Sequence, residues 1–128
     1  MVLRWKIFIK RNVHIVDSTH IASTEGKQIE IGERCLFASN TVIRNGDSHS
    51  ILTMDGTRIN YARDVVIGNH VWFGQNVTVL KGTQIGKDCI VGANSVLSGK
   101  CYSDNLLIVG NPGKVVKENV TWDPRVSR

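Results

Sequence analysis

The sequence predicts an all-β protein wound as a coil of short strands. Three observations lead there: large apolar residues recur every six positions, small or β-branched residues recur at the fifth place of each hexad, and glycine and asparagine fill many of the places between. From Ile67 the run reads Ile67, Phe73, Val79, Ile85, Val91 and Leu97. In a chain that is 41% hydrophobic, six such hits in a row have a chance probability of roughly 0.005. The same phase holds upstream at Ile31, Phe37 and Ile43, while Ile9, Ile15 and Ile21 form a block four residues out of phase.

The fifth place is held by Val13, Thr19, Cys35, Thr41, Val71, Val77, Thr83, Cys89, Ser95 and Cys101. All three cysteines fall on it, so they read as small buried hydrophobes rather than as chemistry. A six-residue period is too short for a helical solenoid, whose unit is ~20 residues or more. It suits flat sides of one hexad each. The first residue points inward as a plug, the fifth fills the corner beside it, and three sides close a turn. Successive turns then stack as parallel strands. Glycine and asparagine at the corners tolerate positive φ.

A length of 128 residues is that of one domain, read as a β-helix over about 7–111, a loop over about 45–64 and a C-terminal segment over 112–128. Twelve glycines, two prolines and 6% aromatic residues fit short extended pieces joined by tight turns. No apolar run approaches the ~18 residues of a membrane span, and the opening "MVLRWKIFIKRN" is a poor signal peptide because charges interrupt its apolar run. Three cysteines without C-x-x-C spacing argue against a disulfide scaffold or a zinc site, and for a reducing cytoplasm and no metal. A net charge of +5 is compatible with a phosphorylated small molecule, a membrane surface or nucleic acid, but no nucleic-acid-binding module is recognisable.

Two stretches interrupt the coil. "TEGKQIE", Thr24 to Glu30, reads as a bulged corner. "NGDSHSILTMDGTRINYARD", Asn45 to Asp64, would place His49, Asp55 and Tyr61 at plug positions. It therefore reads as a polar loop, a type of segment that commonly carries function. After Leu97 the coil ends near "GKCYSDN", "LLIVGNP" forms one more extended piece, and the residues after Pro112 are compatible with a short helix.

His49 lies in that loop as "GDSHSI". An imidazole takes up and releases a proton near neutral pH, and Asp47, two residues earlier, is placed to hold one ring nitrogen. On the residues alone, a solvated loop histidine is an equal reading. No serine or cysteine sits in a nucleophile motif, which favours direct transfer over a covalent intermediate.

With "IGNHVWFG", "VGANSVL" and "VGNPGKVV" in that order, the chain resembles the hexapeptide-repeat acyltransferases over about residues 30–122. It is most similar to the galactoside, maltose and capsular-polysaccharide O-acetyltransferases. The resemblance implies a left-handed parallel β-helix, an exception to the right-handed crossover rule. It also implies acetyl-CoA as cosubstrate, a sugar or polysaccharide-precursor hydroxyl as acceptor, and His49 as the catalytic base. Asn40, in "FASNTVI", matches an asparagine that lines the acceptor side, although a turn asparagine is an equal reading. Asn60 and Tyr61 close the loop, where they would touch the acceptor. Trp72 would wall the acyl or pantetheine channel at a subunit boundary, with Gly74 or Gln75 offering an oxyanion N–H. Gly92, Ala93 and Ser98 correspond to main-chain contacts to coenzyme A, Asn111 and Pro112 to the segment near adenine, and Lys100, Lys114 and Lys117 to phosphate contacts. Two departures stand out: "SGK" replaces Thr-Lys-Asp, moving the lysine one position, and "GNPG" replaces the common "GNPA".

Three copies side by side would make three clefts, each walled by two chains, covering Trp72 and excluding water from the thioester. A homotrimer is therefore expected. Two other functions stay open: acetylation of an amino sugar at nitrogen, and a non-catalytic β-helix serving as a scaffold.

Overall fold

A computed structural model describes residues 6–126. The strands fall into three sheets, one for each side of the coil. Sheet A holds β1 (Lys6–Ile9), β4 (Gln28–Ile31), β7 (Val65–Ile67), β10 (Gln84–Ile85) and β13 (Cys101–Tyr102). Sheet B holds β2 (His14–Ile15), β5 (Leu36–Phe37), β8 (Trp72–Phe73), β11 (Ile90–Val91) and β14 (Leu106–Val109), with β15 (Lys114–Glu118) at its end. Sheet C holds β3 (His20–Ala22), β6 (Val42–Arg44), β9 (Thr78–Leu80) and β12 (Val96–Ser98). Every neighbouring pair is parallel except β14 and β15. Among the described residues there is no helix.

The pairing register reports the length of each turn. Trp72 lies beside Ile90 and Thr78 beside Val96, three hexads on. His14 instead lies beside Leu36, four residues further than one turn, because the corner at Thr24–Lys27 is enlarged. Leu36 lies beside Trp72, twice the length of a turn, because the loop after β6 leaves the coil and returns to it.

The plugs stack along the axis. Ile31, Phe37, Ile43, Ile67, Phe73, Val79, Ile85, Val91 and Leu97 are all buried, and the rings of Phe37 and Phe73 lie face to face with centroids 4.8 Å apart and planes within 3°. Ile9 and Ile15, in the first described turn, are exposed. The corner fillers Cys35, Thr41, Val71, Val77, Thr83, Cys89 and Ser95 are buried as well. Burial pushes the Cys35 and Cys89 thiols up, away from the reactive thiolate. Cys101 differs from the expectation. It is exposed, in a last turn one residue short of three hexads, where Gln84 pairs with Cys101.

The glycines divide into two kinds: Gly26, Gly82, Gly99 and Gly110 hold positive φ as expected, at 70°, 78°, 67° and 116°, whereas those that follow the plugs have another reason. Left-handed corners fall on Asn12, Asn40, Asn76, Asn94 and Asn105, with φ between 59° and 63°. The glycines that follow the plugs are not among them; they allow turns to approach. A Cβ on Gly74 would lie 2.7 Å from Ala93 N, and one on Gly68 would lie 2.8 Å from the Gly86 carbonyl carbon. Gly74→Ala is therefore expected to destabilise by about 1–3 kcal/mol, because backbone must move to admit the methyl. A lowered thermal midpoint with an unchanged circular-dichroism spectrum checks it.

The segment after Pro112 is not a helix. Lys114–Glu118 pairs antiparallel with β14, a choice favoured by the β-branched pair Val115 and Val116. The turn before it closes the end of the rod. Tyr102 Oη donates to Gly113 O at 2.8 Å, and a Cβ on Gly113 would sit 2.1 Å from the buried Leu97 Cδ2. The glycine of "GNPG" therefore suits a leucine plug beneath it.

Candidate active site

The loop between β6 and β7 leaves at the corner joining sheet C to sheet A. It is an ordered hairpin rather than a slack excursion: Leu52 bridges Arg58 in antiparallel fashion, Thr53 N donates to Thr57 O at 2.8 Å, and Ile59 N donates to Ile51 O at 2.9 Å. His49, Asp55 and Tyr61, the would-be plugs, all lie outside the core and are exposed.

Two ion pairs tie the loop to the turns on either side. Arg58 grips Glu25 with both guanidinium nitrogens, at 2.7 and 2.9 Å, reaching the enlarged corner of the preceding turn. Lys81 Nζ meets Asp47 Oδ2 at 2.7 Å from the corner of the following turn. Between them lies Asn60, buried and bonded on both ends of its amide. Its Nδ2 donates to His49 O at 2.7 Å and to Asp47 Oδ2 at 3.0 Å. Its Oδ1 accepts from Ile51 N at 2.8 Å and from Arg58 Nε at 3.2 Å. One side chain thus sets the backbone on both sides of Ser50 and joins the two anchors.

The structure therefore gives two sequence-flagged residues different surroundings. Asp47 engages Lys81 and Asn60 rather than the His49 ring. Asn60 faces inward as a brace for the loop. The Lys81 ammonium, and after it the Asn60 amide, hold the Asp47 carboxyl below the usual carboxylate range. Arg58 does the same for Glu25. A depressed folded-state value means that the stabilisation is fully present above the ordinary Asp and Glu values and is lost as pH falls through the lowered ones. Lys81→Met is accordingly expected to raise the Asp47 titration toward its ordinary position, read by carboxyl-carbon NMR. Protease cleavage in residues 45–64 should then begin at a higher pH on acidification than in the parent chain.

The remaining candidates lie along two corners and one face. Ser98 ends β12 and Lys100 follows it, on the same corner as the loop but further toward the C-terminal end; both are exposed. Arg63 lies across this corner, and Gly82 and Gly99 leave room for its guanidinium: a Cβ on Gly82 would meet it at 1.8 Å. On the corner from sheet B to sheet C lie Asn40, Gly74, Gly92 and Ala93, while Asn111 and Pro112 lie beside it in the turn from β14 to β15, whose Gly110 O and Gly113 N bond to Val96. Asn40 Nδ2 donates to Asn76 Oδ1 at 3.2 Å, one step of a corner ladder. Gly92 has close packing as its own reason, because a Cβ there would lie 2.9 Å from Val109 Cγ2. Lys114 and Lys117 are exposed on β15.

Trp72 points outward from sheet B and is 39% exposed. Part of its cover comes from its own chain, since the Trp122 ring lies 5.9 Å away, tilted by 46°. His70 is half-buried. Its Nδ1 is 2.7 Å from Asp88 Oδ1, and its ring stacks on Trp122 at 4.1 Å. Two hollows of about 510 and 330 Å³ lie on this face, both lined by Leu36 and Trp122. The pairing of His70 with Asp88 had a sequence signal, because the two occupy the same place one turn apart. Lys81, Arg63 and Trp122 had none.

The class defined by this coil is the hexapeptide-repeat acyltransferase fold. Residues 64–99 match the family model for the bacterial transferase hexapeptide of six repeats, and the chain belongs to that family. It is 46% identical over 103 residues to the polysialic acid O-acetyltransferase of Neisseria meningitidis, covering 80% of this chain and 48% of that protein. It is 28% identical over 114 residues to the galactoside O-acetyltransferase of Escherichia coli K12, covering 88% of this chain and 54% of the relative. Among solved structures, that of the polysialic acid O-acetyltransferase OatWY superposes with a TM-score of 0.86 at 40% identity, over 94% of this chain and 57% of the other. The repeat and these neighbours imply a left-handed coil. The chain spans about half the length of these relatives.

Proposed function

We propose that this chain is the catalytic coil of an acetyl-CoA-dependent O-acetyltransferase that modifies a saccharide hydroxyl. The observation that carries the reading is the braced loop: a buried Asn60 clasps the backbone of an exposed His49, on a coil whose relatives are named O-acetyltransferases of polysialic acid and galactosides. A histidine held by its main chain has its ring free for substrate. Such pre-organisation is what a general base needs.

In this reading His49 accepts the proton of the acceptor hydroxyl as that oxygen bonds to the thioester carbonyl carbon. The carbon–sulfur bond then breaks, and the proton passes to the departing thiolate. Asp47 and Lys81 hold the loop on which His49 sits. Gly92, Ala93 and Ser98 offer main chain to the pantetheine arm, Asn111 and Pro112 lie toward adenine, and Lys100, Lys114 and Lys117 meet phosphates. Arg63 adds a cation on the corner that carries Lys100. Asn40 contributes on the acceptor side.

The complete cleft needs neighbouring copies. Within one chain the loop leaves the corner between sheets C and A, whereas Trp72 faces out from sheet B. The loop also exposes Ile51, Leu52, Met54, Ile59 and Tyr61, an apolar surface suited to cover by a partner. A homotrimer brings the loop of one copy to the Trp72 face of the next. Acetyl-CoA as donor places the reaction in the cytoplasm. Mass spectrometry of a panel of saccharides incubated with protein and acetyl-CoA tests the function. An alkali-labile gain of one acetyl group is expected. Alkali-stable products would make it an N-acetyltransferase, and failure of coenzyme A to bind would leave only a scaffold.

A further inference from the structure

The larger hollow, about 510 Å³, lies on a different side of the rod from the His49 loop. One wall is a column of left-handed corner residues from three successive turns, Asn12, Arg34 and His70, at φ 60°, 59° and 57°. His14 and Leu36 line it from sheet B, and Trp122 and Pro124 close it from the C-terminal segment. Trp122 is fixed there by its stack on His70 and by its Nε1–H donating to His70 O at 2.8 Å.

Each acidic group beside the hollow already has a partner. Asp88 pairs with His70, Glu33 with Arg11, and Asp123 with Arg125. Arg34 enters no ion pair among the described residues. It also holds a left-handed corner that this coil elsewhere gives mainly to asparagine, a conformation that a long side chain adopts at a cost. The volume is within the ~300–1,000 Å³ of small-ligand sites.

We propose that this hollow binds a carboxylate-bearing sugar unit of a polymeric acceptor. The Arg34 fork takes the carboxylate, Asn12 and His14 meet hydroxyls, and Leu36, Pro124 and the indole of Trp122 take the C–H face of the ring. The site deepens the saccharide reading above and rests on it: one acidic unit is gripped here while another is presented to a His49. The predicted preference is for an acidic polymer over a neutral one.

Calorimetric titration of the full chain, without acetyl-CoA, tests it with a tetramer of N-acetylneuraminic acid and a neutral glucose tetramer. Saturable binding of the acidic tetramer alone is expected. Arg34→Asn, which keeps a residue suited to the left-handed corner, should weaken it roughly 10–100-fold, the worth of a charged hydrogen-bonded contact. Arg34→Lys should restore only part, and Trp122→Ala should also weaken it. Equal binding of the neutral tetramer, or acidic binding indifferent to Arg34→Asn, overturns the proposal. So does the absence of binding by either tetramer, which a second copy seated over the hollow would also produce. A protein that binds through Arg34 yet acetylates no saccharide would keep this inference and remove the acetyltransferase reading. One that acetylates while indifferent to Arg34 would do the reverse.

Discussion

His49→Ala is expected to lower kcat for acetyl transfer by about 10²–10⁴-fold, the usual contribution of a positioned general base. The residue is exposed, and its link to Asn60 runs through its carbonyl oxygen. The substitution therefore leaves that hydrogen bond and the loop in place. Coenzyme A affinity, assembly and thermal midpoint should remain near those of the parent chain. Steady-state kinetics with the best acceptor, alongside titration with coenzyme A, checks both halves. A rate within threefold of the parent would remove His49 as base. A loss of coenzyme A binding would instead make it a binding residue.

Asn60→Ala should be the most damaging change in the loop that leaves His49 itself intact. Removing the amide unpairs Ile51 N and His49 O and takes one hydrogen bond each from Arg58 and Asp47. Leaving a buried partner unsatisfied costs about 1–3 kcal/mol per group, and these part-buried groups fall toward its lower end; misplacing a reacting group by an ångström costs on the order of 10²-fold in rate. The expected outcome is a fall in kcat of that order with little change in the coenzyme A contribution to KM. Protease cleavage between residues 45 and 64 should become faster. Asn60→Asp separates bracing from bulk. It retains an acceptor for Ile51 N and Arg58 but sets a second carboxylate against Asp47 and has no donor for His49 O. It should therefore lose activity as severely as the alanine variant. Activity retained in both would leave Asn60 with only a structural part.

How much of this could be read in the chain depends on the range of each interaction. Plugs and corner fillers were legible because their environment is set by position within six residues, whereas Phe37 meets Phe73 directly only because the loop takes a turn's worth of residues out of the coil. Cys101 escaped the rule because the last turn is one residue short. Positive φ accounts for Gly82 and Gly99, but the glycines after the plugs have a reason that only stacked turns reveal: Gly74 is small because Ala93 passes over it. A helix after Pro112 was compatible with the local residues, but the open edge of β14 decided for a strand.

The loop is legible as a departure from the period and as the home of His49, but its anchors are not. Sequence proximity pairs Asp47 with His49, whereas its carboxylate is claimed by Lys81, 34 positions later. Glu25 and Arg58 meet across 33 positions, set by the four extra residues in one corner and the length of the loop. No local pattern encodes either distance. The sequence by itself determined the coil, its core and the segment that must leave it, because burial of a repeating side chain is a local and periodic constraint. The tertiary structure alone decided what braces that segment, what covers Trp72 and that Arg34, beside the larger hollow, has no ion-pair partner among the described residues, because those surroundings form only after the turns have stacked.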